Sequence, residues 1–147
     1  MIENILKDEK FGTLMKTHVY ECLEYLLSKD TEFCILANLK YTSFDPELPK
    51  EISSNFKSPV ILFCLGGYTL SSAILTKTNL SFEAGFGAND FASLVSVPIG
   101  AIVQITIDEN PLLINFSVYK EDLNESRKQK SKQIFMSNPK NKDIFEK

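Results

Sequence analysis

Three cysteines, one histidine and no tryptophan stand in 147 residues, and each scarcity removes a class of function. Cys22, Cys34 and Cys64 are odd in number, show no C-x-x-C spacing and suggest no disulfide frame, so the sequence predicts free thiols in a reducing cytosol. His18 alone, with no ligand-spaced cysteines, gives no metal motif and no histidine-based catalytic pair. No long apolar run is present. The longest, Val60 to Leu65, is far short of the ~20 residues of a membrane span. The start, Met-Ile-Glu-Asn, lacks the basic and apolar regions of a secretory leader. The expected compartment is the cytoplasm, with no membrane partner, no metal and no cofactor.

Phosphate-binding glycine patterns are also missing. Gly85-Phe86-Gly87 lies between two strand-like runs, not before a helix, so it is neither a Walker loop nor a dinucleotide turn. It reads as a hairpin corner, or as small residues that let another backbone approach closely. Asp108-Glu109-Asn110 lacks the ligand spacing of a calcium loop and reads as a solvated turn. No Gly-x-Ser-x-Gly occurs and no nucleophile has a base at a recognisable spacing, so an enzyme is not expected.

What is present is a globular composition, 44% hydrophobic and 24% charged, which supports a packed core. Charge is split along the chain. Residues 1–118 carry 8 basic and 14 acidic side chains, a net of −6, whereas residues 119–147 carry 8 basic and 5 acidic, a net of +3. An acidic body argues against a surface built for nucleic-acid phosphates. The division predicts a domain at 1–118 and a polar, basic tail at 119–147.

The first ten residues are weakly patterned. Phe11, Leu14, Met15, Val19, Cys22, Leu23 and Leu26 then recur at three and four residues, the stripe of an amphipathic helix with Asp8 as N-cap and a stop at 28–30. From Phe33 the period becomes two, a strand to Tyr41. Residues 42–58 read as a loop. Pro59 to Leu65 reads as a central strand buried on both faces. Further extended segments follow at 68–75, 80–86, 94–97, 101–107 and 112–118, with turns between them. One helix and six or seven antiparallel strands predict an α+β, mainly β fold, a small barrel or sandwich with the helix over one open end or edge. In the tail, Ile134-Phe135-Met136 and Ile144-Phe145 are apolar islands suited to docking.

Leu80-Ser81-Phe82-Glu83-Ala84-Gly85-Phe86-Gly87-Ala88 and Val95-Ser96-Val97-Pro98-Ile99-Gly100-Ala101-Ile102 resemble the stringent starvation protein B (SspB) family, adaptors of the ClpXP protease. Pro59-Val60-Ile61-Leu62 and the helix ending Tyr20 to Leu27 are similar to that family's central strand and N-terminal helix. Ala88 replaces a glycine of the family's turn, and Asn89-Asp90 is an insertion.

The resemblance implies an Sm-like barrel and a homodimer joined through the helix, here Met15, Val19, Cys22, Leu23 and Leu26. It implies a groove for ssrA-type tags or other unstructured peptides, walled by Gly66, Gly67, Tyr68, Phe82, Ala84, Phe86, Gly87 and Val97. It also implies delivery of tagged proteins to the ClpX unfoldase through the tail, with Ile134, Phe135, Met136, Ile144, Phe145 and Lys147 as docking residues. A divergent peptide or protein binder without ClpX delivery, and an Sm-like RNA-binding module, are the alternative readings.

Overall fold

The computed structural model describes residues 1–120. A short helix, α1 (Ile2–Leu6), precedes the main helix α2 (Glu9–Ser28). The Asp8 carboxylate accepts a hydrogen bond from the Phe11 N–H at 3.2 Å, so the expected N-cap forms. Asp8→Ala should lower stability by about 1 kcal/mol in urea denaturation, because it orphans that donor while leaving the core untouched. Val19, Leu23 and Leu26 are buried, Met15 and Cys22 half-buried, and Leu14 is 65% exposed, off the buried stripe.

Eight strands follow, with two short helices among them. They are β1 (Phe33–Asn38), β2 (Ser43–Asp45), α3 (Lys50–Ser53), β3 (Val60–Leu65), α4 (Gly67–Ser71), β4 (Ile74–Leu75), β5 (Asn79–Phe86), β6 (Phe91–Pro98), β7 (Ile102–Ile107) and β8 (Asn110–Ile114). They form two antiparallel sheets of four, ordered β3-β1-β7-β8 and β2-β6-β5-β4. The fold is α+β and mainly β. Among the described residues the strands make two sheets and no closed barrel.

The core lies between the sheets and under α2. Phe33, Ile35, Ala37, Phe63, Leu65 and Ile105 come from the first sheet, and Leu80, Phe82, Val95 and Val97 from the second. The alternation of β1 and β5 places these side chains inward. A 3₁₀ turn at Ile99–Ala101 joins the sheets and packs beneath α2. Among the described residues two polar side chains are buried, and both are satisfied. Ser93 Oγ donates to the Pro46 carbonyl at 2.8 Å, while Asn115 Nδ2 donates to the Ile102 carbonyl at 3.1 Å and Asn115 Oδ1 accepts from Ser117 N–H.

Several expectations are corrected. β3 is an edge strand, not a central one, and Leu62 and Cys64 point to solvent. Residues 67–71 are helical rather than extended, because Ser71 and Ser72 hydroxyls bond back to the Tyr68 and Thr69 carbonyls and close a turn too short to show periodicity. The 42–58 loop holds β2 and α3. Cys34 and Cys64 are not free thiols. They face each other across β1 and β3 and form a disulfide that spans 30 residues of sequence. Cys22 remains free and half-buried, and burial raises its thiol pKa. Among the described residues no helix is long and apolar enough to cross a membrane.

Candidate functional site

The residues expected to line one groove fall into three places. Phe82 and Val97 are fully buried in the core, and half-buried Ala84 packs against it. Strand alternation directs all three between the sheets, so Phe82 and Val97 are structural side chains and not groove walls.

The second place is an aromatic cluster beside α3. Phe86 is half-buried, with its ring centroid 5.6 Å from that of Phe44 and 6.4 Å from that of Phe63, both edge-on. Phe56 stacks on Phe44 at 6.3 Å, and Phe63 meets Phe82 at 5.2 Å. Edge-to-face geometry at these separations is favourable beyond simple burial. Gly87 closes the β5–β6 turn at φ +72, where a side chain is strained. A Cβ there would also press on the Ile52 side chain at 3.3 Å.

The third place is the outer edge of β5, where α4 begins. Gly67, at φ +55, makes the bend from β3 into α4. Gly66 fits against Glu32, whose carboxylate lies 3.1 Å from where a Cβ would stand. Tyr68 is 71% exposed, and its hydroxyl donates to Glu83 Oε2. That bond, then the Glu83 charge, and last desolvation, raise the phenol pKa.

Among the described residues this edge is only partly covered. β4 pairs with β5 at Leu80 and Ser81 and then stops. Antiparallel strands send the backbone groups of alternate residues to opposite neighbours. Thr76 N–H donates to the Asn79 carbonyl, and Glu83 N–H donates to Ser72 Oγ at 2.9 Å, both on the side away from β6. The same alternation turns the N–H and carbonyl of Gly85 to that side, past the end of β4 and past Ser72. Nearby, a Cβ on Gly85 would sit 2.8 Å from Asp90 Oδ1, so the exposed Asp90 carboxylate would have to swing aside to admit one. An uncovered stretch of strand edge accepts another strand.

The site therefore keeps Gly66, Gly67 and Tyr68 together with Gly85, one of the small residues expected to let another backbone approach, and adds Glu83 and Ser72, which the sequence reading did not select. Period-two alternation already places Ser81, Glu83 and Gly85 on the outward side of β5. Ser72 had no such signal, since its role depends on the turn of α4. The helix residues expected to pair two copies are spent on this chain's own core in the cases of Val19, Leu23 and Leu26. Ile134, Phe135, Met136, Ile144, Phe145 and Lys147 lie outside the described residues. His18 is exposed on α2. Among the described residues no three His, Cys, Asp or Glu side chains gather as a metal site. In sequence comparison the chain matches no protein-family model and no curated protein.

Proposed function

We propose that the chain is a non-enzymatic adaptor of the SspB kind. In this reading it binds an extended tag of the ssrA type by strand addition at β5 and delivers the tagged protein to ClpX through residues 119–147. The observation that supports the reading is the uncovered edge at Gly85, flanked by the exposed ring of Tyr68 and the carboxylate of Glu83. Main-chain hydrogen bonds at such an edge supply affinity without demanding one side-chain sequence, which suits capture of unfolded termini. Tethering completes the mechanism. Two weak contacts on one chain raise the local concentration of cargo at the protease to about the millimolar scale. On this reading the two sheets are the halves of an Sm-like barrel, and the cytoplasm follows from the ClpX partner alone, since the Cys34–Cys64 bond removes the free-thiol argument for that compartment.

A second reading keeps the fold and the edge but takes a different peptide, without ClpX. Ala88 and the inserted Asn89-Asp90 favour it, since they alter the turn beside the edge where the family resemblance is strongest.

Fluorescence anisotropy with a labelled ssrA-tag peptide tests both. The first reading expects saturable binding that Tyr68→Ala weakens while the folded state keeps its stability. Alternate N-methylation of the peptide should cost at least about tenfold in affinity, because it removes the donors that a strand edge accepts. Equal affinity for the methylated peptide would remove strand addition as the mode. No binding of the tag, with binding of other extended peptides, would select the second reading.

A further inference from the structure

We propose that residues 127–136 of this chain dock on the outward face of its own β2-β6-β5-β4 sheet. Strand register sets that face. Asp45, Leu94 and Glu83 stand abreast on β2, β6 and β5, and Ser43, Ser96, Ser81 and Ile74 form the next row. Tyr68 joins the first row through its bond to Glu83, and the Asp90 carboxylate lies beside Gly85. Leu94 is 42% exposed and Ile74 62%. No outward position on the four strands carries a basic residue. Among the described residues none of Asp45, Glu83 and Asp90 takes part in a salt bridge. The face is apolar and negative at once, which marks it for a partner that is apolar and positive.

One stretch of the chain has that chemistry. Residues 127–142 hold six basic side chains and no acidic one, whereas residues 121–126 hold three acidic and no basic. Arg127, Lys128, Lys130 and Lys132 come immediately before Ile134-Phe135-Met136, so cations and an apolar island lie together. Residues 1–118 carry a net −6, which attracts such a segment. Reach agrees. The described chain ends with the Tyr119 ring edge-on to Tyr41 at 4.5 Å and beside Gly100, and Lys120 Nζ donates to the Lys7 carbonyl at 3.1 Å. Tyr41 precedes β2 and Gly100 follows β6, so the tail starts at the Ser43 and Pro98 end of this sheet. From the level of Pro98 to that of Leu94 is about 13 Å, and the seven residues from Lys120 to Arg127 span up to about 23 Å. A segment tethered so closely works at an effective concentration of about a millimolar, so weak contacts suffice. In the adaptor reading the tail leaves this face to reach the unfoldase, but the inference does not rest on that reading.

The chain has no tryptophan, so Phe135→Trp in the full chain places a single fluorescent reporter in the island. Docked, the reporter should emit further to the blue and be quenched by acrylamide several-fold less than the same substitution in a free peptide of residues 121–147. Asp45→Asn with Glu83→Gln, checked for folding by circular dichroism, should shift the ratio of docked to free about fivefold toward free, because two exposed ion pairs are lost. Added salt should act in the same direction. Asp45→Lys with Glu83→Lys should release the reporter, and Lys128→Glu with Lys130→Glu in the same chain should restore its protection, a rescue that misfolding cannot imitate. A reporter as exposed in the full chain as in the free peptide overturns the proposal. So does protection that withstands both salt and the substitutions at Asp45 and Glu83, which would place the island on another face. Protection lost on about 100-fold dilution would assign the contact to a second copy and also overturn the proposal, since a contact within one chain is indifferent to concentration.

Discussion

Phe82→Ala should cost about 4 kcal/mol of folding stability, the largest loss expected from any single truncation described here. Phe82 is fully buried, and its ring packs edge-on against Phe63 at 5.2 Å. Removing it takes away the burial of a large apolar surface and leaves a cavity that the two sheets cannot collapse, because β5 is held on both sides by β4 and β6. With a urea dependence of about 1–3 kcal/mol per molar, the midpoint should fall by roughly 2 M. Phe86→Ala should cost less, about 1–2 kcal/mol, since that ring is half-buried and keeps one side toward solvent. The comparison decides between two roles for Phe82. A groove wall would lose affinity and keep its stability. A core residue loses stability, and any change in peptide binding disappears once the folded fraction is accounted for. A loss under about 1 kcal/mol from Phe82→Ala would contradict the core assignment.

Phe82 also shows where sequence and structure part company. Its place on an apolar strand was legible from the period of two, as were the N-cap of α2 at Asp8 and the turn between β4 and β5. Which of two apolar surfaces a side chain meets, core or groove, is set by what the other sheet places opposite, and that is a long-range matter. β3 makes the same point from the other side. Its outward residues are as apolar as its inward ones, so it reads as buried twice over, yet it is an edge strand with Leu62 in solvent. An apolar outward face and an apolar inward face carry one signature in the sequence. The stripe of α2 was read well as a stripe, but its partner is this chain's own 3₁₀ turn at Ile99–Ala101. α4 escaped notice because five residues are fewer than two helical turns. Within the candidate site, Gly66 and Gly67 were legible as a break in the chain and Tyr68 as a groove wall, while its exposure came only from the structure. The open edge was not, because it exists only where β4 ends short of Gly85.

The Cys34–Cys64 bond is the least legible feature and carries the second large effect. Nothing local links residues 34 and 64. The pairing of β1 with β3 sets them opposite, in register with Leu36 opposite Leu62. Closing a loop of that length, 30 residues apart in sequence, restricts the unfolded chain by about 3–4 kcal/mol in the chain-entropy account. Cys34→Ala with Cys64→Ala should therefore lower the urea midpoint by roughly 2 M, and reduction of the wild-type protein should lower it by a similar amount. The substitution is informative because Cys64 is exposed and Cys34 half-buried, on the solvent side of the sheet, so two alanines open no core cavity. The loss then belongs to the cross-link itself. Thiol counting provides the control: the unfolded, unreduced chain should react with one alkylating equivalent, at Cys22, and the reduced chain with three. β3 should respond most in hydrogen exchange. It is an edge strand paired only with β1, so without the bond its amides from 60 to 65 should open at lower free energy than those of β7, which is held on both sides. Three reactive thiols before reduction, or a midpoint indifferent to the double substitution, would show that the two cysteines stand opposite each other without being joined.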